Sequence, residues 1–289
     1  MLNFHNIYRP LTSHPFVSDG SYMEYRPSLL LRPYISCFWT MSAKKKPSGE
    51  TEVLVNPDTC MDIIVHINHT RQRISGYLCG IQDEPEITVQ RASEDEISCF
   101  AIRFHFWSAH LFLKLKFCES VNRSVELNVL EKEWQQLFQP FFYIKRVEER
   151  IAYVEDFLLH KLNYMEKNDN LFNSIHHMIN TAGSAGVKEI CEFSCVSQRH
   201  MERMFRSQVG LTMKRAASLV RYQNVWREMA TSSRFDVMDA VYRYGYTDQA
   251  HLLREFKRFH GVTPERARQI AGISRDANVV FLQYLDEKV

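Results

Sequence analysis

Apolar positions recur at helical spacing along the last third of this chain and at strand spacing along its first third. Leu252, Phe256 and Phe259 share one face of a helix at about 100° per residue, and Arg254 stands opposite them, flanked by Ala250, His251, Lys257 and Arg258. Tyr244-Gly245-Tyr246 before it reads as a tight turn, in which Gly245 is free to take a positive φ. Thr247 and Asp248 are N-cap candidates, since each side chain can accept from the first free N–H groups of a helix. Gly261 ends the helix near His260, and Pro264 keeps it ended. A short helix, a glycine turn and a second helix with a basic outer face outline a helix-turn-helix. On this segment alone, an amphipathic surface helix with solvated charges fits equally well.

The pattern occurs twice, and that decides between the two readings. Upstream, Ser197 is the N-cap candidate after a turn around Cys195, and Met201, Met204 and Phe205 form the apolar face. Arg199, Arg203 and Arg206 fall opposite, and Gly210 is the stop. Ser197 to Phe205 aligns with Asp248 to Phe256, and Gly210-Leu211-Thr212 with Gly261-Val262-Thr263, an offset of 51 residues. Thr212 to Ala230 between them reads as one helix, roughly 30 Å long at about 1.5 Å per residue. Successive major-groove openings on one face of a duplex are about 34 Å apart, so a rigid helix of this length suits two heads in adjacent grooves.

The first third has strand texture. Arg32–Thr40, two runs within Glu52–Asn68 around Asn56-Pro57-Asp58, Gly76–Gly80, Ile87–Val89 and Ile97–Phe106 are short strands, which together predict a sandwich or small barrel. Residues 1–21 show little periodicity and read as a poorly ordered arm, and AKKKPSGE at 43–50 as a solvated turn. From Ser108 the texture turns helical, over Ala109–Phe117, Glu131–Leu137 and Val147–Leu162. In the last of these Ile151, Val154, Leu158 and Leu162 form an apolar stripe, suited either to a dimer interface or to packing on the β-core. The expected organisation is a β-rich domain over 1–165, a linker over 166–172, a helical domain over 173–272 and a tail over 273–289.

Length and charge agree with this division. A chain of 289 residues suits two domains. At 45% hydrophobic and 24% charged, it has the composition of an ordinary globular protein. No apolar run reaches the ~18 residues of a membrane span, and the N-terminus lacks the layout of a signal peptide. Seven cysteines without framework spacing read as reduced thiols, so the expected location is cytoplasmic. The net charge of +2 hides an asymmetry. Residues 171–270 carry 15 Lys+Arg against 9 Asp+Glu, net +6, whereas residues 1–170 carry 19 against 22, net −3. A basic C-terminal third fits contact with phosphates.

The last hundred residues resemble the DNA-binding domain of the AraC/XylS family of bacterial transcription regulators. Ser197, Met201, Phe205, Gly210, Arg221, Gly245, Tyr246, Leu252, Phe256, Lys257, Gly261, Val262, Thr263, Pro264 and Arg268 carry the resemblance. Met213, Ala240-Val241, Cys195 and Ala267 depart from the family pattern, Cys195 at a turn position commonly held by glycine. YRPSLLLRPYISCFWT, NPDTCMDIIVHIN and ISCFAIRFHF resemble the sensor-like domain found in one branch of that family, which implies a cupin-like β-fold with appended helices. The fold class expected is therefore α+β: a β-rich cupin-like barrel or sandwich, then an all-α domain of two helix-turn-helices joined by a long helix.

These readings predict a sequence-specific DNA-binding regulator. Arg199 and Arg203 from the first recognition helix, and His251 and Arg254 from the second, face the major groove. The arginine fork matches guanine O6 and N7. Ser197, Gln198, Gln249 and Ala250 lie at the helix N-termini, and Gln198 and Gln249 reach phosphate or base. Lys257 and Arg258 suit phosphates, which position without specifying, and Arg206 is a further DNA-binding candidate on the outer face. Glu202 pairs with Arg203 or accepts from a cytosine. In the β-domain Tyr34, Phe38, Trp39, Tyr77 and Phe104 are candidates to line an effector cavity, with solid core as the alternative. His66, His69, His105 and Asp62 raise the question of a metal, but their spacing brings no three ligands to one point. No metal or other cofactor is expected. Cys37, Cys60, Cys79 and Cys99 read as core thiols rather than a redox sensor. The expected partners are double-stranded DNA, a small-molecule effector and a second copy of the chain in a homodimer, with RNA polymerase a further candidate and no membrane. The reading from another class is a cupin-type metal-dependent enzyme with a basic accessory domain.

Overall fold

A computed structural model describes residues 4–11, 22–42, 50–91, 94–163, 168–232 and 234–271. The tail over 273–289 and the lysine-rich turn over 43–49 fall outside these. Among the described residues the first half holds eight strands: β1 (Tyr22–Tyr25), β2 (Ile35–Ser42), β3 (Glu50–Val55), β4 (Cys60–Asn68), β5 (Arg73–Cys79), β6 (Glu86–Arg91), β7 (Ile97–His105) and β8 (Ser124–Glu126). Six pair antiparallel in the order β1-β2-β7-β4-β5-β8, and β3 and β6 form a separate antiparallel pair. Among the described residues no pairing joins β1 to β8, so the larger sheet is open rather than a closed barrel.

Alternation along the central strands gives the large sheet two unlike faces. Phe100, Ile102 and Phe104 of β7 and Met61, Ile63, Val65 and Ile67 of β4 are fully buried on one side, in the main core. The residues between them, Cys99, Ala101 and Arg103 of β7 and Asp62, Ile64 and His66 of β4, face the other way, where a smaller cluster of Tyr22, Cys37, Trp39, Cys99 and Ala101 sits.

Helices cover the apolar face. They are α1 (Phe4–Ile7), α2 (Ala109–Phe112), α3 (Lys132–Leu137) and α4 (Val147–Leu162). Two expectations are corrected here. Residues 4–11 are no loose arm: Phe4, Tyr8 and Leu11 are buried, with Phe4 edge-on to Trp107 at 5.3 Å. The helix expected over 109–117 stops at Phe112, and Leu113 is extended at φ −123°, ψ 128°. Leu113-Lys114-Leu115-Lys116-Phe117 alternates with period two, which a helix cannot satisfy on one face. The α4 stripe packs inward, with Val154 and Leu158 at 0% exposure in the chain's own core, so these two residues are not a dimer surface.

The second half is helical: α5 (Asp169–Asn180), α6 (Val187–Phe193), α7 (Gln198–Met204), α8 (Met213–Thr231), α9 (Val237–Arg243), α10 (Gln249–His260) and α11 (Pro264–Ile270). Asn168 caps α5 by accepting from Leu171 N. Leu171 and Phe172, assigned above to a linker, are buried in that helix. A π-helical turn, Phe205–Val209, follows α7 and closes with Gly210 N donating to Phe205 O at 2.9 Å. The main core runs without a break from Phe4 to Ala267, so both halves share it.

Gly183 shows how tightly the helices meet. It lies in the turn between α5 and α6 with φ +79°, and a Cβ there would stand 2.3 Å from Ala217 O and 2.6 Å from Arg221 N of α8. Left-handed backbone at a non-glycine residue costs about 1–3 kcal/mol before any clash. Gly183→Ala is expected to cost more than about 2 kcal/mol in urea unfolding at unchanged m-value; wild-type stability contradicts the packing.

Candidate nucleic-acid interface

Each recognition helix begins with a side-chain cap. Ser197 Oγ accepts from His200 N at 3.4 Å at the start of α7, and Asp248 Oδ1 accepts from His251 N at 2.6 Å at the start of α10. Both end on left-handed glycines, Gly210 at φ +93° and Gly261 at φ +79°. The recognition helices keep the 51-residue offset seen in the sequence, but the helices before them do not. Val196 N donates to Cys191 O and Tyr246 N to Val241 O, an offset of 50. Thr247 is therefore an extra residue in the second turn. Cys195 takes φ +52° and Gly245 φ +65° at equivalent places in the two turns. The position where the resemblance expects glycine is left-handed, and here a cysteine occupies it.

The inner faces match the expected ones. Met201, Met204 and Phe205 are buried beneath the first recognition helix, and Leu252, Phe256 and Phe259 beneath the second. On the outer faces Ser197, Gln198, Arg199, Arg203 and Arg206 are exposed, as are Gln249, Ala250, Arg254, Lys257 and Arg258, while Glu202 and His251 are half-buried. Two details differ from expectation. Arg203 contacts His200 rather than Glu202, its Nη2 lying 3.1 Å from His200 Nδ1. His251 turns back on its own turn, edge-on to Tyr246 at 5.2 Å, with Nδ1 accepting from Thr247 N at 3.4 Å. Arg258 lies with its guanidinium 4.4 Å above the Phe259 ring.

Helix α8 holds the two heads apart. Its 19 residues span about 28 Å. Arg221 on α8 grips Glu255 on α10 through two hydrogen bonds of 2.9 and 2.8 Å and stacks on Tyr246 at 4.4 Å. Burial opposes the Arg221 charge, but the Glu255 carboxylate holds its pKa above the ordinary value. Arg221 and Tyr246 are among the residues that carry the resemblance above, and their partner Glu255 is not. An acid at the helical spacing of the Leu252, Phe256 and Phe259 face was the available signal.

The same helix is pinned to the β-domain. Gln223 accepts from Leu11 N at 2.9 Å and donates to Pro57 O. Arg215 bonds the Asp83 carboxylate and, at 3.0 Å, its carbonyl. His260, the last residue of α10, accepts from Tyr222 or donates to it at 2.9 Å and lies 3.4 Å from Asn56 Nδ2. A glutamine at the helical spacing of Leu219, Val220 and Trp226 was a readable sign of this contact.

The candidate effector residues divide between the two faces of the sheet. Tyr34, Phe38 and Phe104 are buried in the main core, whereas Trp39 belongs to the opposite cluster and Tyr77 stacks on His66 at 5.6 Å. They do not line one cavity, because neighbours such as Phe38 and Trp39 on one strand point apart. Charge gathers instead around Arg103 on the Trp39 side. Its Nε and Nη2 bond Asp62 at 3.0 and 2.8 Å, and Trp39 Nε1 donates to Asp62 at 2.9 Å. Asp58 lies 3.9 Å from Nη2 and Glu24 3.8 Å from Nη1. Burial works against the Arg103 charge, yet Asp62, with Tyr22 and Asp58, holds its pKa well above the ordinary value. Burial pushes the Asp58 carboxyl up to about 6 against the pull of Arg103.

Burial also keeps the strand cysteines as thiols, Cys79 pushed up to about 12 and Cys99 to about 11. Among the described residues no group of three or more His, Cys, Asp or Glu side chains is placed to hold a metal ion, and no helix is long and apolar enough to cross a membrane.

Residues 190–270 match a family model described as a helix-turn-helix domain, and residues 23–126 match a domain of unknown function, DUF6597. No curated protein matches the chain. Among solved structures, ToxT from Vibrio cholerae O395 is similar at TM-score 0.42 and 12% identity, over 88% of this chain and 99% of that one. A ToxT structure from strain SCE256, described as unsaturated fatty acid bound, is similar at TM-score 0.41 and 11% identity, over 89% and 98%.

Two buried histidines, His105 and His260, and the half-buried His110 set an expectation for acid. Burial lowers His105 to about 3 and His110 and His260 to about 4, from 6.5. Each folded-state value lies below the unfolded one, so each contribution is complete above pH 6.5 and is lost as pH falls toward the folded value. Every proton taken up only on unfolding costs up to about 1.4 kcal/mol per pH unit. Asp58, raised, acts in the opposite sense below about pH 6. Urea unfolding is expected to weaken from pH 6.5 to 4 with a slope of about two protons, reduced by one in His260→Gln. Stability that stays flat over this range contradicts the burial of these rings.

Proposed function

We propose that this chain, whose residues 190–270 are an AraC-type helix-turn-helix domain, is a sequence-specific DNA-binding transcription regulator controlled by a small molecule in its β-domain. One observation carries the reading: two capped recognition helices expose equivalent basic faces, Arg203 and Arg254 standing 51 residues apart at the same helical position. The exposed side chains at both N-termini, Gln198, Arg199, Gln249 and Ala250, are the ones that enter a major groove in this mode. Arg199, Arg203 and Arg254 supply donors for guanine, and Arg206, Lys257 and Arg258 supply charge for phosphates. The half-buried Glu202 and His251 flank them, Glu202 as an acceptor for cytosine N4 and His251 as a further base contact. Arg203, in contact with His200 Nδ1, presents its fork already oriented.

The control part of the reading rests on the contact between the halves. A change in the β-domain reaches α8 through Gln223 and Arg215, and so reaches the spacing or freedom of both heads. The reading includes a homodimer on paired sites, where tethering raises the local concentration of heads. It places the protein in the cytoplasm of a bacterium, with RNA polymerase as a further partner on DNA.

The test is Arg254→Ala on a duplex selected by the protein from a random pool. The loss expected is about 1–3 kcal/mol on the selected site, with preference relaxed at one base position. An equal loss on selected and random duplexes would make Arg254 a phosphate contact only; failure of the wild type to select any duplex would end the reading.

A further inference from the structure

We propose that the Trp39 side of the large sheet, at Arg103 and Asp58, is the polar end of the effector site, that it takes a neutral hydroxyl- or amide-bearing small molecule, and that the β3–β4 turn relays its occupancy to α8. This rests on the regulator reading above and names the site, the ligand class and the route.

The site is built by strand register. Cys37, Arg103 and Asp62 lie side by side across β2, β7 and β4, and Glu24, Trp39 and Ala101 form the next row. Arg103 is 6% exposed. Asp62 satisfies Nε and Nη2, but Nη1 is buried and makes no hydrogen bond to any described residue. Glu24 at 3.8 Å is beyond hydrogen-bond length. A buried guanidinium end without an acceptor is costly in a purely structural ion pair. The Trp39 and Tyr22 rings, 5.6 Å apart, stand beside it as an apolar wall.

Charge selects the ligand. One guanidinium faces three carboxylates, Glu24, Asp58 and Asp62, so the surroundings are already acidic and disfavour an added anion. Nη1 requires an acceptor, which a simple ammonium lacks. An alcohol or a primary amide accepts from Nη1 with its oxygen and donates to Asp58 with its proton, adding no charge.

The relay follows from where Asp58 sits. Residues 56–59 form the turn between β3 and β4. Asn56 meets His260, Pro57 O accepts from Gln223, and Thr59, held at φ +60°, meets Tyr8 OH at 3.0 Å. Asp58 is the turn residue that faces Arg103, and its neighbours hold the connector and the end of the second recognition helix. A ligand that draws on Asp58 moves the hinge on which α8 rests.

The test uses the full chain and three probes with one body and different heads: 2-phenylethanol, phenylacetate and 2-phenylethylammonium. The alcohol is expected to raise the unfolding temperature and to change affinity for the selected duplex several-fold; the two ions are not. Arg103→Lys abolishes the shift, and Asp58→Ala serves the same purpose if that variant does not fold. Gln223→Ala keeps the shift in unfolding temperature and loses the change in duplex affinity. No shift with any probe, an equal shift with phenylacetate, or a shift intact in Asp58→Ala overturns the site. Coupling intact in Gln223→Ala overturns the relay. The unfolding measurement needs no DNA, so it judges the site even where failure to select a duplex has ended the regulator reading.

Discussion

The ion pair between Arg221 and Glu255, roofed by Tyr246, fixes how the connector helix meets the second recognition helix. Breaking a buried pair by removing one partner typically costs about 3–5 kcal/mol, because the other charge is left without compensation. That makes the pair a constraint on geometry more than a source of stability. Gly183 abuts the same turn of α8 at Ala217 O and at Arg221 N and Cβ, so Arg221 has little room to shift. With α8 held in this way, the 51-residue offset in sequence becomes a fixed distance and orientation between two basic faces.

The second constraint is the two-sided large sheet. Its Phe100-Ile102-Phe104 face belongs to the core shared with the helical half. Its other face carries Arg103, Asp62 and Trp39. One sheet therefore supports the DNA-reading half on one side and polar chemistry on the other, and the 56–59 turn touches both. Alternation along β4 and β7 is enough to produce this division.

The helical half was legible in the sequence because its signals are local and duplicated. Ser197 and Asp248, Gly210 and Gly261, and the apolar triplets between them each specify a helix start, stop or face within a dozen residues. The long strands β4 and β7 were legible for the same reason. Less visible were pieces whose conformation depends on distant partners. β8 is three residues long and exists by pairing with β5. The π turn after α7 packs close to Phe117 and Val121, which lie about ninety residues earlier in the chain. The Phe4, Tyr8 and Leu11 spacing was a helical signal that the polar surroundings obscured. The candidate DNA-reading residues could be named from the pattern, whereas the Arg103 cluster could not. Its members come from four separate segments, and register alone brings them together.

Helix α8 is proposed to set the two recognition helices in adjacent major grooves of one duplex. Hydroxyl-radical and methylation footprinting of the full chain on its selected duplex tests this directly. The account predicts two protected major-groove segments on one face, about one helical turn or 10–10.5 base pairs apart, the guanines in each protected from methylation at N7. A single protected segment, or two on opposite faces of the duplex, would contradict it.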